Sequence, residues 1–316
     1  MSGVDPPASP VAPSPPLLLP PLLSRPTETT IRITALNGGQ PVEAAVELRC
    51  EGAKEWQRRP LASKVSARQL LDWDVQGLSP ATKYDYRVLL KQGSDEPFRE
   101  TAAGSFRTQR KGPTSYTAVL ITDSHTGYFP VDSSPVITLD RVVQNVARVK
   151  GEFVLDLGDN TAWAGSREYP QRSPAGAVSA YARYRRQIGP LTLNSPYFSV
   201  IGNWCGESGK FPDENIEIAA SVRRALVPGP NHLTYPQGGS EREDYYAFSW
   251  GDVLYLILNI QTYSKPSNPA KLQSLMSDVN RIEEWTLGEK QMAWFETRLQ
   301  KATERFRFVC MHHPAG

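Results

Sequence analysis

At four places the chain sets oxygen and nitrogen donors directly after an apolar run: Asp123-Ser124-His125, Gly158-Asp159-Asn160, Gly202-Asn203-Trp204 and His312-His313-Pro314. The preceding runs are YTAVLIT, EFVLDL, YFSVI and FRFVCM. In an open α/β sheet the carboxyl ends of the strands form the ligand crevice. Four such ends can therefore bring Asp123, His125, Asp159, Asn203 and His312 together. Carboxylate, carboxamide and imidazole donors suit iron, manganese or zinc better than calcium. A carboxylate between two such ions bridges them at roughly 3.5–4 Å, and the pair both generates hydroxide at neutral pH and neutralises phosphoryl oxygens. Each fragment alone is weak, because D-x-H, G-D and G-N also occur in ordinary loops. Gly251-Asp252, for example, reads as a hairpin turn. The reading rests on their order and on their common place at strand ends.

The intervening segments supply those strands with partners. From residue 114 onward, continuous apolar runs alternate with helical stretches, the pattern of an α/β sheet covered on both faces. The first helical stretch puts Leu139, Val142, Val146 and Val149 on one face; others are expected over residues 179–187 and 214–226. DYYAFSW and VLYLILN flank Gly251-Asp252 as a hairpin. A last helix opens at Thr286, with Glu289 three residues on as a capping box, and turns Met292, Phe295, Leu299 and Ala302 inward.

Residues 28–110 have a different rhythm. Short alternating runs (TTIRITAL, VEAAVELRC, DYRVLL, GSFRT) are separated by NGGQP, EGAKE, GLSP and KQGSDEP, which predicts a small antiparallel all-β sandwich. Residues 1–27 carry most of the proline excess and read as a disordered Pro-rich leader. Their LLLPPLL segment is broken by prolines and preceded by no Lys or Arg, unlike an export signal. The compartment stays open: exported if the true start lies upstream, cytoplasmic otherwise. A formal charge of +2 gives no argument for a nucleic-acid partner. No run of 18 apolar residues predicts a membrane span. Cys50, Cys205 and Cys310 lie far apart, with no CxxC pair, and read as small apolar side chains.

The segment from Gly77 to Val88 (GLSPATKYDYRV) resembles the tyrosine-corner strand of fibronectin type III modules, and a similar module precedes the catalytic domain of purple acid phosphatases. The ordered set D-x-H, G-D, G-N and H-x-P resembles the calcineurin-like metallophosphoesterase family over residues 116–316. The resemblance implies a four-layer α/β/β/α metallophosphoesterase domain over residues 114–316, incomplete at its C-terminus. It also implies two divalent or trivalent metal ions (Fe, Mn or Zn), with Asp123 and His125 on the first and Asp159 bridging. Asn203 and His312 would hold the second, and Asn203 would also contact substrate. His312 is preferred to His313 because the family's ligand stands two residues before the proline. The implied reaction is hydrolysis of a phosphate mono- or diester by metal-activated hydroxide, with a phosphate ester as the small-molecule partner.

Two departures qualify that expectation. The family follows the Asn with a His that assists catalysis; this chain has Trp204, which donates one N–H but transfers no proton at neutral pH. His313 or Glu207 are the candidate substitutes, and Arg242 the candidate contact to an anionic substrate. The family's last motif, Gly-His-x-His, has no counterpart, since the histidines are 125, 232, 312 and 313. A fragment of a longer reading frame is the expectation, with an inactive remnant acting as a binding or scaffold protein as the alternative. His232 reads as a loop residue, and Arg183, Arg185 and Arg186 as a solvated helix face.

Overall fold

The computed structural model describes residues 17–128, 133–163, 173–209, 211–264 and 285–313. Seven strands come first: β1 (Leu17–Ser24), β2 (Ile31–Asn37), β3 (Glu43–Cys50), β4 (Gln57–Pro60), β5 (Leu70–Val75), β6 (Lys83–Lys91) and β7 (Arg99–Arg107). They form two facing antiparallel groups, β5-β2-β1 and β4-β3-β6-β7. Alternate side chains of both groups meet in one core that includes Ile33, Trp73, Val46, Tyr86 and Phe106. The Tyr84 hydroxyl accepts from the Ser79 backbone N–H at 2.8 Å, which closes the corner expected from the sequence.

The leader expected over residues 1–27 is corrected here: residues 17–24 are strand β1, and of that stretch residues 1–16 lie outside the described residues. Leu23 enters the sandwich core, while Leu19 and Leu22 enter a second core with Tyr181, Ile188 and Leu191. Both faces are buried, so the run shows no alternation and mimics low complexity. The prolines lie where the register with β2 shifts between Leu19 and Leu22, which spares the ladder a missing donor.

The second part comprises β8 (Ala118–Ile121), α1 (Ser134–Ala147), β9 (Phe153–Asp156), α2 (Pro174–Gln187), α3 (Gly189–Thr192), β10 (Tyr197–Ser199) and α4 (Asp213–Leu226). The hairpin β11 (Tyr246–Trp250) and β12 (Val253–Ile257), α5 (Glu289–Lys301) and β13 (Phe306–Cys310) complete it. Strands β8, β9 and β10 are parallel, and β1 continues the same sheet beside β10 through Ser24 and Tyr197. One face of β9 packs on the helices through Val154, Val143, Tyr181 and Tyr184. The other packs on the hairpin through Phe153, Leu155, Phe248 and Tyr255. The outer side of the hairpin, with Ala247, Leu254 and Leu256, is covered by Phe295, Leu299 and Ala302 of the α5 segment. Strand β13 pairs in parallel with β12, in a sheet separate from β8–β10. The four donor-bearing ends thus come from two sheets.

Several local expectations need correction. Helix α5 begins at Glu289 behind Gly288, with no side-chain cap bond; Thr286 Oγ1 accepts from Gly288 N at 3.0 Å, so a turn replaces the capping box. Met292 points outward, and the buried residue of that helix is Gln291, which brackets Asn259 with bonds to its N–H and C=O. In α1 the buried side chain is Val143; Val142 is exposed, as is Val149 beyond the helix end. Arg185 is fully buried rather than solvated. Its guanidinium donates to the carbonyls of Leu226 (2.9 Å), Pro20 (3.0 Å) and Thr34, fastening α2 to the sandwich. Burial without a carboxylate partner pulls its pKa down, to about 9, so it stays charged at neutral pH. A second tie is Tyr86, whose hydroxyl donates to the Leu193 carbonyl at 3.0 Å. Strands β8 and β13, read as buried, have exposed side chains at Leu120, Phe306, Phe308 and Val309. Gly251, with φ +62°, makes the hairpin turn expected of it.

Candidate metal centre

The chain after β8 and the chain after β9 run side by side. Asp123 N donates to Gly158 O (2.9 Å), His125 N to Asp159 O (2.8 Å), Thr126 N to Asn160 O (3.1 Å) and Ala162 N back to Thr126 O (3.0 Å). This zipper holds Asp123 (φ +55°), His125 (φ +44°) and Asp159 (φ +52°) in the left-handed region. Asp and His enter that region more readily than most L residues, yet each such residue costs on the order of 1–3 kcal/mol. Three of the donor-bearing residues therefore sit in backbone that their surroundings must enforce.

The two motif glycines are explained by crowding around Asp159. A Cβ on Gly202 would fall 2.1 Å from Asp159 Oδ1 and 2.2 Å from its backbone N. At Gly158 (φ +111°) it would fall 2.8 Å from His312 Nδ1 and 3.0 Å from Gly202 N. Only glycines allow the ends of β9 and β10 to approach this closely.

Four of the five predicted donors converge on the fifth, Asp159, which is 2% exposed. Atoms of Asp123, Asp159 and His312 all lie within 4.8 Å of one another. His125 Nε2 stands 3.5 Å from Asp123 Oδ1 and 3.6 Å from Asp159 Oδ2. His312 Nε2 is 3.3 Å from Asp159 Oδ2 and 3.1 Å from the Asn203 side-chain amide. The Trp204 backbone N–H donates to Asp159 Oδ1 at 2.7 Å.

The donor set fits a cation. His312 Nδ1 donates to the Leu157 carbonyl at 3.0 Å, which leaves Nε2 as the lone-pair nitrogen facing the carboxylates. With His312 neutral, the Asn203 amide satisfies its surroundings only by turning its nitrogen to His312 Nε2 and Asp159 Oδ2, 3.1 Å from each. Its oxygen then accepts from the Trp204 indole N–H at 3.3 Å. Turned the other way, the amide oxygen, the imidazole lone pair and the carboxylates all face one another, an arrangement that positive charge relieves. Burial works to lower the His312 pKa, but the hydrogen bond and charge of Asp159 outweigh it and raise the pKa above the ordinary histidine value. The pocket attracts positive charge, whether proton or metal.

Beneath the cluster, Asp156 is fully buried and accepts from Gly158 N (3.0 Å), from the Tyr197 hydroxyl (3.1 Å) and from Tyr184. Burial drives its carboxyl up to about 6 against the opposing pull of those donors. This acid is the fifth residue of the run EFVLDL, two positions before Gly158, a polar interruption in an apolar strand that was open to notice in the sequence. Tyr128 was missed too: its ring centroid lies 6.4 Å from that of His125 and 5.4 Å from that of Trp204, which is itself 5.6 Å from His125. Nothing in the local sequence placed it there.

The remaining candidates fall elsewhere. Glu207 is fully buried and accepts from Arg223 Nε (2.5 Å) and Nη2 (3.1 Å), so its carboxylate is committed to an ion pair. Arg242 is paired with Glu217 rather than with the cluster. His313 stands beside His312, ring centroids 4.6 Å apart; its Nδ1 is 2.6 Å from Gln261 Nε2 and its ring stacks on Trp285. His232 is exposed in its loop, as expected.

Neither a family model nor a curated protein matches this sequence. Among solved structures the chain is similar to PhoD, with 16% identity and a TM-score of 0.68 over 95% of this chain and 63% of that one. The fold is that of PhoD over the shared length. The chain spans less than two thirds of the length of PhoD. It is also similar to the fibronectin type III domain of human fibronectin type III domain containing protein 3 (18% identity, 34% of this chain and 99% of that one, TM-score 0.25).

Proposed function

We propose that this chain is a metal-dependent phosphoesterase that hydrolyses phosphate mono- or diesters, built as a fibronectin III-like sandwich on a calcineurin-like α/β/β/α domain. The observation that carries this reading is the convergence of Asp123, His125, Asn203 and His312 on one buried carboxylate, Asp159. Asp123 and His125 would hold one ion, Asn203 and His312 the other, and Asp159 both; iron, manganese or zinc suits this donor set. When bound, the ions supply a water of lowered pKa and positive charge opposite the phosphoryl oxygens. The chain's own part is to fix that geometry. The Leu157 carbonyl sets the His312 tautomer, and the Trp204 backbone N–H orients the Asp159 carboxylate.

Trp204, standing where the family places an imidazole, favours a second reading: a metal-binding protein with little or no turnover. Elemental analysis of the purified protein together with p-nitrophenyl phosphate hydrolysis separates the two. About two metal equivalents, with turnover abolished in Asp159→Asn, supports the enzyme. Bound metal without turnover supports the second reading, and no metal at any loading excludes both.

A further inference from the structure

We infer that Trp204 and Tyr128 select phosphate esters whose leaving group is an aromatic ring acidic enough to depart unprotonated. The inference rests on the phosphoesterase reading and names the substrate class of that site. The rings of His125, Trp204 and Tyr128 form a closed triangle, with centroids 5.4–6.4 Å apart and interplanar angles of 65–80°. His125 in turn stands 3.5–3.6 Å from the two carboxylates. A phosphoryl group seated on the carboxylate cluster therefore has an aromatic wall beside it. Tyr128 is 39% exposed and Trp204 partly so, and both can be reached by a bound ester. Edge-to-face and offset ring contacts favour an aryl substituent over an alkyl one.

The second strand of argument is protonation. Trp204 can donate a hydrogen bond but holds no proton to give at neutral pH. Glu207 is locked to Arg223. The Nε2 atoms of His125 and His312 face the carboxylates. His313 adjoins His312, not the aromatic wall, and its Nδ1 is engaged by Gln261. Among the described residues none is thus placed to protonate the leaving oxygen, and the step balances as follows: a water oxygen forms the new bond to phosphorus, and the bond from phosphorus to the leaving oxygen breaks with its electron pair. The leaving group departs as aryloxide, and the water's proton passes to solvent. Only leaving groups stable as anions complete that step quickly, whereas a positioned acid would contribute roughly 10²–10⁴-fold for poor ones.

The test compares p-nitrophenyl phosphate with glycerol phosphate on the metal-loaded protein and its Trp204→His variant. The ratio of their kcat/KM values should be larger in the unaltered protein than in the variant by roughly 10²–10⁴-fold. An unchanged ratio overturns the protonation argument. Calorimetric binding of phenylphosphonate against methylphosphonate tests the wall without turnover. The phenyl compound should bind roughly two- to tenfold tighter. Trp204→Leu should erase that preference and Trp204→Phe retain it; equal binding of both compounds by the unaltered protein overturns the wall. A protein that hydrolyses both esters at the same rate sinks this inference alone. One that neither holds metal nor hydrolyses p-nitrophenyl phosphate sinks the phosphoesterase reading itself.

Discussion

His312 Nε2 stands 3.3 Å from Asp159 Oδ2, although the two residues end strands of different sheets. The other nitrogen of the same ring bonds to the Leu157 carbonyl, just past β9. One imidazole thus joins the end of β13 to the end of β9 and presents its lone pair where a carboxylate waits. Because Asp159 raises the pKa of this ring, the cluster in its metal-free form competes for protons with any cation offered to it.

Metal binding should therefore release protons. The raised His312 pKa means that the proton is held to higher pH than on an ordinary histidine and is lost as pH climbs past the folded value. Affinity for zinc or manganese should rise with pH through that window and level off above it. Calorimetry in two buffers of different ionisation enthalpy reads the proton count directly. His312→Gln should lower both affinity and proton release; unchanged release would mean that another group gives up the proton.

Much of this cluster was legible because polar donors at strand ends leave a linear trace. Asp123, His125, Asp159, Asn203 and His312 each follow an apolar run, and the run fixes where the residue lands. Glu207 and Arg242 misled because an isolated charge in a loop carries no sign of its partner: Arg223 and Glu217 come from a helix elsewhere in the sequence. The same gap hid β1. A strand buried on both faces has no alternation, and its prolines suggested a leader until the register shift that accommodates them was seen. Arg185 was hidden by composition, since three arginines on one helix look solvated whichever of them points inward.

Gly202→Ala should unseat Asp159. The added methyl would fall about 2 Å from both the carboxylate and the backbone N, neither of which is the loose end of a flexible chain. Overpacking of this kind costs about 1–3 kcal/mol, and metal affinity should fall with it. Gly112→Ala is the control: Gly112 also needs care, with φ +68°, but a Cβ there meets nothing within 4 Å. Thermal melts and metal titrations of both variants separate crowding from backbone strain. Equal metal affinity in Gly202→Ala and the unaltered protein would show that the ends of β9 and β10 have room to spare.

Asp156 gives a pH dependence of opposite sense to the usual carboxylate. Its folded pKa is raised to about 6, so between the ordinary value and that pH the folded state keeps a proton which the unfolded state releases. Stability of the chelator-treated protein should fall as pH rises through this window, by up to roughly 3 kcal/mol for this group alone. In Asp156→Asn that part of the slope should vanish. Denaturant unfolding at a series of pH values from 4 to 7 checks it, and parallel curves for the two proteins would count against the assignment.

Arg185 holds the sandwich to the α/β part by donating to backbone carbonyls on both sides, from Pro20 and Thr34 on one and Leu226 on the other. Truncating it leaves three carbonyls short of a donor in a dry interface, each at a cost of about 1–3 kcal/mol, together with the space its side chain filled. Arg185→Ala should therefore lose about 3 kcal/mol or more. Arg185→Met refills the space without restoring the donors, so it should recover only the packing share. If the carbonyls matter more than the volume, the two variants will melt close together and well below the unaltered protein. If Arg185→Met instead melts with the unaltered protein, the guanidinium contributes little, and the joint rests on Tyr86, Leu193 and the leucines of β1.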